Sequence, residues 1–232
     1  MGALCMSIAA PLRASVIFDN TVNDLTVRFN PGTLEVGDQI NLAGTDRWLT
    51  GFSFEYWGTN TASPTTFAGA VQAQVRLYKN DGPLVPPVFN GYPSPGAVPL
   101  YDSGLFSLAM PALIYNGRAT EVFTAGADFP GGLNIFIPAD TITWTVQFSG
   151  MALTDSVGVD IYSPATIGTD YPDYWQNNGT TLSPSWVLLT NTVPMDFAAR
   201  FTATVPEPSM VTLSILGGLG ILTLARRLRR KE

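Results

Sequence analysis

Histidine is absent from all 232 residues, and a single cysteine, Cys5, stands near the start. Without histidine, Ser-His-Asp and Cys-His nucleophile machinery is excluded, and the commonest side-chain ligand of transition metals is missing. One thiol excludes a disulfide within the chain, and a chain of this length buries enough surface to do without that staple. Charge is scarce as well: only 13% of residues are Asp, Glu, Lys or Arg, roughly half the usual share of a soluble domain. No Gly-rich phosphate loop, dinucleotide fingerprint or repeat of solenoid or propeller length occurs. Carboxylate pairs are the one catalytic device left, as in glycoside hydrolysis. Sixteen acids in one body bring some pairs together by chance, so the chain reads as non-enzymatic, with a glycoside hydrolase as a lesser alternative.

What is present points to sheets. Apolar residues make up 46%, and 22 glycines and 18 prolines supply frequent turns. Val71, Ala73, Val75 and Leu77 alternate with Gln72, Gln74, Arg76 and Tyr78. Ile142, Trp144, Val146 and Phe148 alternate with Thr143, Thr145 and Gln147, and Met195, Phe197, Ala199 and Phe201 with Asp196, Ala198 and Arg200. A period of two puts each set on one face of a strand, one face dry and one wet. Further strands are expected at 15–19, 25–30, 34–42, 47–57, 100–108, 119–125, 133–137, 156–162 and 185–190. About twelve strands without a soluble helix predict an all-β fold, an antiparallel β-sandwich of jelly-roll type. The proline-rich stretch from Gly82 to Pro99 cannot be a central strand and reads as a surface loop within one domain.

The net charge of -6 conceals an asymmetry. Between Val16 and Val205 there are 16 acidic and six basic residues, whereas Arg226, Arg227, Arg229, Arg230 and Lys231 crowd the C-terminus. An acidic body is a poor partner for nucleic acid. Residues 1–15 read as a signal peptide with an apolar core and small residues before the first strand, but without the basic start; the expectation is that the true start codon lies upstream.

Residues 205–232 differ from everything before them. Met210 to Ala225 form 16 residues without a charge, a helix of about 24 Å that nearly spans the ~30 Å hydrocarbon core. The basic cluster after it fits a cytoplasmic flank. Before it, two prolines around Glu207 keep the backbone extended and readable by a protease at the membrane surface. Pro206, Glu207 and Pro208, then the apolar helix, then Arg226, Arg227, Arg229, Arg230 and Lys231 closely resemble the PEP-CTERM sorting signal of exopolysaccharide-producing Gram-negative bacteria. The resemblance implies an exosortase, a membrane cysteine protease, as partner, with residues 209–225 in the lipid bilayer. It implies residence at the inner membrane with the body in the periplasm, then transfer to the envelope, cell surface or extracellular matrix. It covers about 28 residues and carries no information on residues 16–204, the expected ectodomain.

Within that ectodomain two chemistries are open. Asp155, Asp160, Asp170 and Asp173 can supply hard oxygen ligands for Ca²⁺, although Asp at turn starts and on the wet face of a strand is the plainer account; no other cofactor is expected. Tyr171, Tyr174 and Trp175 stand among Pro, Asp and Asn outside any alternating strand, and Trp57 shares the face of Glu55. Aromatics of this kind can stack on the sugar rings of an exopolysaccharide, or they can simply close the ends of the sandwich.

Overall fold

The computed structural model describes residues 14–85, 91–112, 116–180 and 182–205. Residues 1–13 of the suspected signal peptide, the Pro206–Pro208 motif, the apolar run and the basic cluster lie outside the described residues; Ser15, the last residue assigned to that peptide, already belongs to the first strand. Ala14–Thr204 forms one compact unit. It is all-β and its sheets are antiparallel throughout.

One sheet is organised around β4 (Trp48–Asn60), whose 13 residues pair on one edge with β10 (Arg118–Thr124) and β11 (Ile135–Phe136). Its other edge is shared by β17 (Ala199–Thr204) and β13 (Asp155–Tyr162), beyond which lie β1 (Ser15–Asp19) and β2 (Asp24–Phe29). Thr202 pairs with Gly51 and Ala203 with Leu49, so Thr50 is an extra residue, a bulge that resets the side-chain parity of β4. That is why Leu49 and then Phe52, Phe54 and Tyr56 all face the core.

The second sheet has β3 (Glu35–Asn41), β12 (Thr141–Ser149) and β5 (Gln72–Lys79) at its centre. The short β8 (Tyr101–Asp102) and β9 (Phe106–Ser107) pair with β5, and β14 (Thr169–Asp170) and β15 (Asp173–Asn177) pair with β3. The hairpin partner of β15 is β16 (Trp186–Thr190). The inward faces of the two sheets interlock through Trp144, whose ring centroid lies 5.4 Å from Phe52 and 5.8 Å from Phe54. Full burial of such rings contributes about 1.5–3 kcal/mol each.

The alternating sets on β5 and β12 bury their apolar members as expected, but the opposite face is not wet. Arg76, Tyr78, Thr143 and Thr145 are buried, as are Trp175 and Trp186 nearby. Glu35 organises this face: it accepts hydrogen bonds from Tyr78 (3.1 Å), Thr145 (2.7 Å) and Asn177 (3.0 Å), and Arg76 Nη1 lies 3.1 Å away. Arg76 also reaches Asp102 at 3.0 Å. A buried carboxylate with this many donors is satisfied as an ion, which explains how a polar face can be covered.

Part of the cover comes from the proline-rich segment. It contains a small hairpin of β6 (Leu84–Val85) and β7 (Tyr92–Pro93), and Val85 packs against the Tyr78, Trp175 and Trp186 cluster. The hairpin base is fixed by Gly82 N–H to Ser94 O (2.9 Å), Ser94 N–H to Pro83 O (3.1 Å) and Gly96 N–H to Lys79 O (2.8 Å). A Cβ on Gly82 would stand 2.6 Å from the Pro95 carbonyl oxygen, so the two chain segments approach as closely as glycine allows.

Candidate functional site

The eight residues singled out from sequence are dispersed. Asp155 and Asp160 both lie on β13 and, five residues apart, are separated by about 16 Å of strand. Asp155 is spent on backbone: its carboxylate accepts from Ala68 (2.8 Å), Gly69 (2.8 Å) and Ala152 (2.9 Å). Burial pushes this carboxyl up, but the three N–H groups prevail and hold it below the ordinary range. Asp160 is fully buried between Arg118 Nε at 3.1 Å and Arg28 Nε at 3.6 Å. Asp170 belongs to β14 and Asp173 to β15, at the end of the sandwich where Asp38 and Asp196 are buried. Among the described residues no group of three or more acidic, histidine or cysteine side chains is arranged to hold a metal ion.

Two of the four aromatic candidates are buried and a third is half-buried against the core. Trp175 is fully buried on β15, its indole N–H donating to Gln39 Oε1 at 3.1 Å. Tyr174 packs against Phe29 (5.0 Å between centroids) and Phe197 (6.2 Å) at the edge of the main core. Trp57 is buried too, with the Arg28 guanidinium 5.5 Å from its ring centroid. The burial of Trp175 was not readable because β15 is covered on both faces, Tyr174 meeting the main core and Trp175 the outer cluster, which leaves no alternation to read. Tyr171 is half-buried as well, between β14 and β15, but it lines an open cleft.

That cleft has a volume of about 510 Å³ and is lined by Gln39, Lys79, Asn80, Asp81, Tyr92, Pro93, Ala139, Asp140, Thr141 and Tyr171. Sequence reasoning missed Tyr92, which lay in the stretch taken as a plain loop; its isolation as an aromatic among Gly and Pro was the available signal. The rings of Tyr92 and Tyr171 meet edge to face, 6.3 Å apart and inclined at 64°. The Tyr171 hydroxyl accepts from Asn41 Nδ2 at 3.1 Å, and Thr141 donates to Asn41 Oδ1 at 2.5 Å. Asn80 is held by three contacts from Nδ2, to Gln39 Oε1 (3.0 Å), Thr143 Oγ1 (2.9 Å) and Pro93 O (3.3 Å). The charged members are paired: Lys79 with Asp81 at 2.7 Å, and Asp140 with Arg47 at 2.6 Å.

A second cleft, of about 580 Å³, is lined by Glu55, Tyr56, Arg118 and Thr120 with residues 109–112. Its chemistry is inward-looking. Arg118 grips Asp24 at 2.6 Å and stands over the Tyr162 ring at 5.8 Å, while Tyr162 donates to Glu55 Oε1 at 2.7 Å. The Arg118 bond holds the Asp24 carboxyl below its usual value, and burial pushes Asp160 up to about 7 against the pull of Arg118. Asp160, the group with the pKa suited to a general acid, has no exposed surface through which to meet a substrate. The arrangement clamps β2, β4, β10 and β13 together.

Comparison with known proteins gives no match: no family model, no curated protein and no solved structure is significantly similar to the chain.

Proposed function

We propose that the chain is an exported, non-enzymatic protein of the cell envelope or extracellular matrix, sorted by its C-terminus, with the β-sandwich as its cargo. The observation that carries the reading is the order of three parts in residues 205–232: Pro206-Glu207-Pro208, 16 uncharged residues from Met210 to Ala225, and the basic cluster Arg226 to Lys231. An apolar helix of about 24 Å with basic residues on one flank holds a chain in a bilayer with that flank cytoplasmic. In this reading an exosortase-type protease reads the proline-flanked Glu207, and the body passes to the envelope. The body is of jelly-roll type, supported by the way successive long strands β3, β4, β5, β10, β12 and β13 alternate between the two sheets.

Cell fractionation of a tagged copy tests this. The intact chain should fractionate with the membrane and its processed form with the envelope or medium, and a copy lacking residues 206–232 should lose the membrane stage. Cytoplasmic recovery of an unprocessed chain, unchanged by that deletion, would overturn it. A second reading, carbohydrate recognition by the body, is favoured by the cleft that carries Tyr92 and Tyr171.

A further inference from the structure

The geometry points to a neutral oligosaccharide as the ligand of the Tyr92 and Tyr171 cleft. This rests on the second reading above and commits it to one site and one ligand class.

The two rings meet edge to face at 64°, so their contact takes up one face and one edge, and the rest of both rings, with the hydroxyls, lines the cleft. Such a surface matches the C–H face of a pyranose ring, while leaving the rim wet. Tyr92 is 36% exposed, so part of the residue is open to solvent at the cleft. The neutral polar groups beside the rings are the Gln39 and Asn80 amides and the Thr141 hydroxyl, of which Asn80 Nδ2 and the Thr141 proton are already bonded within the protein. Amides and hydroxyls both donate and accept, as each sugar hydroxyl does. The charged groups cancel in pairs, so the cleft offers no surplus charge to select an anion or a cation. This separates a neutral glycan from an acidic polysaccharide, which would require uncompensated Lys or Arg.

The site is also held in advance of binding. The backbone at Tyr92 is held by its pairing with Val85 and by the hairpin base at Gly82, Ser94 and Gly96, and the Tyr171 hydroxyl is held by Asn41. A held backbone and a bonded hydroxyl reduce the freedom lost when a ligand arrives, which is where a small site gains affinity. A cleft of about 510 Å³ falls in the usual range for small-ligand sites. The exposed Asp140 at its border, with 86% of its side chain accessible, marks an open side along which a longer chain can run.

The test is a titration calorimetry panel on the purified full chain, with cellohexaose, maltohexaose, mannohexaose and galactohexaose as neutral probes and hexagalacturonate as the anionic one. At least one neutral probe should bind saturably. Tyr92→Ala and Tyr171→Ala should each weaken it by about tenfold or more, the loss of one stacking face. Tyr171→Phe keeps the ring and should weaken it less. Because Tyr92 is exposed, its alanine variant keeps the fold, which a thermal melt confirms. Three outcomes overturn the inference: no saturable neutral binder, binding that survives both alanine substitutions, or tighter binding of hexagalacturonate. None of them touches the sorting reading, which fails only by fractionation.

Discussion

Asp38 and Asp196 come from opposite halves of the chain to one end of the sandwich, and each carries a buried carboxylate oxygen with no hydrogen-bond partner among the described residues. The other oxygen of Asp38 accepts from the Phe197 N–H at 2.9 Å, in the segment that crosses between the sheets. Asp170 and Asp173 add their charge to the same end. Burial, then mutual repulsion, raises Asp38 far above the carboxylate range, and burial raises Asp196 to about 7.

A group whose folded pKa is raised binds more protons in the folded state than in the unfolded one. Its stabilising effect is complete below the unfolded value near 4 and is lost as pH climbs through the folded value. Asp38, Asp196, Asp170, Asp173 and Asp160 all have this sign. Asp24, Asp102 and Asp155 have the opposite one and withdraw support below about pH 4. The melting temperature should therefore peak in mildly acid solution and fall between about pH 5 and pH 8. Asp196→Asn should flatten that fall and stabilise the fold by about 2 kcal/mol at pH 8. Denaturant unfolding of both proteins at pH 5 and pH 8 checks the sign.

Arg118 supplies the second pH-dependent prediction. Replacing it with Met leaves Asp160 buried beside only the more distant Arg28 and removes the bond to Asp24. The cost at pH 8 should be about 3–5 kcal/mol, as for other buried pairs broken from one side. At pH 5 the cost should shrink, since Asp160 can then take up a proton in place of its partner. The double variant Arg118→Met with Asp160→Asn should recover part of the loss at pH 8, measured by the same unfolding curves.

The strands built on regular alternation were legible because one side of each meets the other sheet. Ile142, Trp144, Val146 and Phe148 fall on a single inward face of β12, and the expected positions 15–19 coincide with β1. What was hidden has a common cause, a second layer on the outer face of the β3, β12 and β5 sheet. It buries Arg76, Thr143 and Thr145, which read as solvent positions, and covers Trp175 in the polar-looking run Asp173–Asn177, which forms a strand between β3 and β16. Asp38 was illegible for another reason. It occupies an inward position between Val36 and Ile40, where period-two reasoning calls for an apolar residue. The cleft was half visible: Tyr171 was found by composition, but its pairing with Tyr92 depends on a fold across some 80 positions of sequence, which no local pattern encodes.

The same distinction predicts unequal responses from aromatics that look alike in sequence. Trp175→Ala removes a fully buried indole from the small cluster with Tyr78 and Trp186 and frees Gln39 from one of its two partners. It should cost about 3–5 kcal/mol. Tyr92→Ala removes an exposed ring and should change stability by no more than about 0.5 kcal/mol. Chemical denaturation followed by far-ultraviolet circular dichroism separates the two, and equal losses would contradict the placement of Tyr92 on the surface.

Glu35 gives the sharpest test of the covered outer face. Its two carboxylate oxygens accept from Tyr78, Thr145 and Asn177 and face Arg76, so three strands and the β15 hairpin meet on one residue. Glu35→Ala strands the Arg76 charge in a buried site with only Asp102 left to it and should cost about 3–5 kcal/mol. Glu35→Gln retains the shape and one acceptor but not the charge, and should cost less. If the face were solvated, water would replace every lost partner and both variants would sit within about 1 kcal/mol of the parent. A loss that is large for alanine, intermediate for glutamine and insensitive to added salt therefore distinguishes a dry polar layer from an ordinary wet surface, because buried pairs are screened far less than exposed ones.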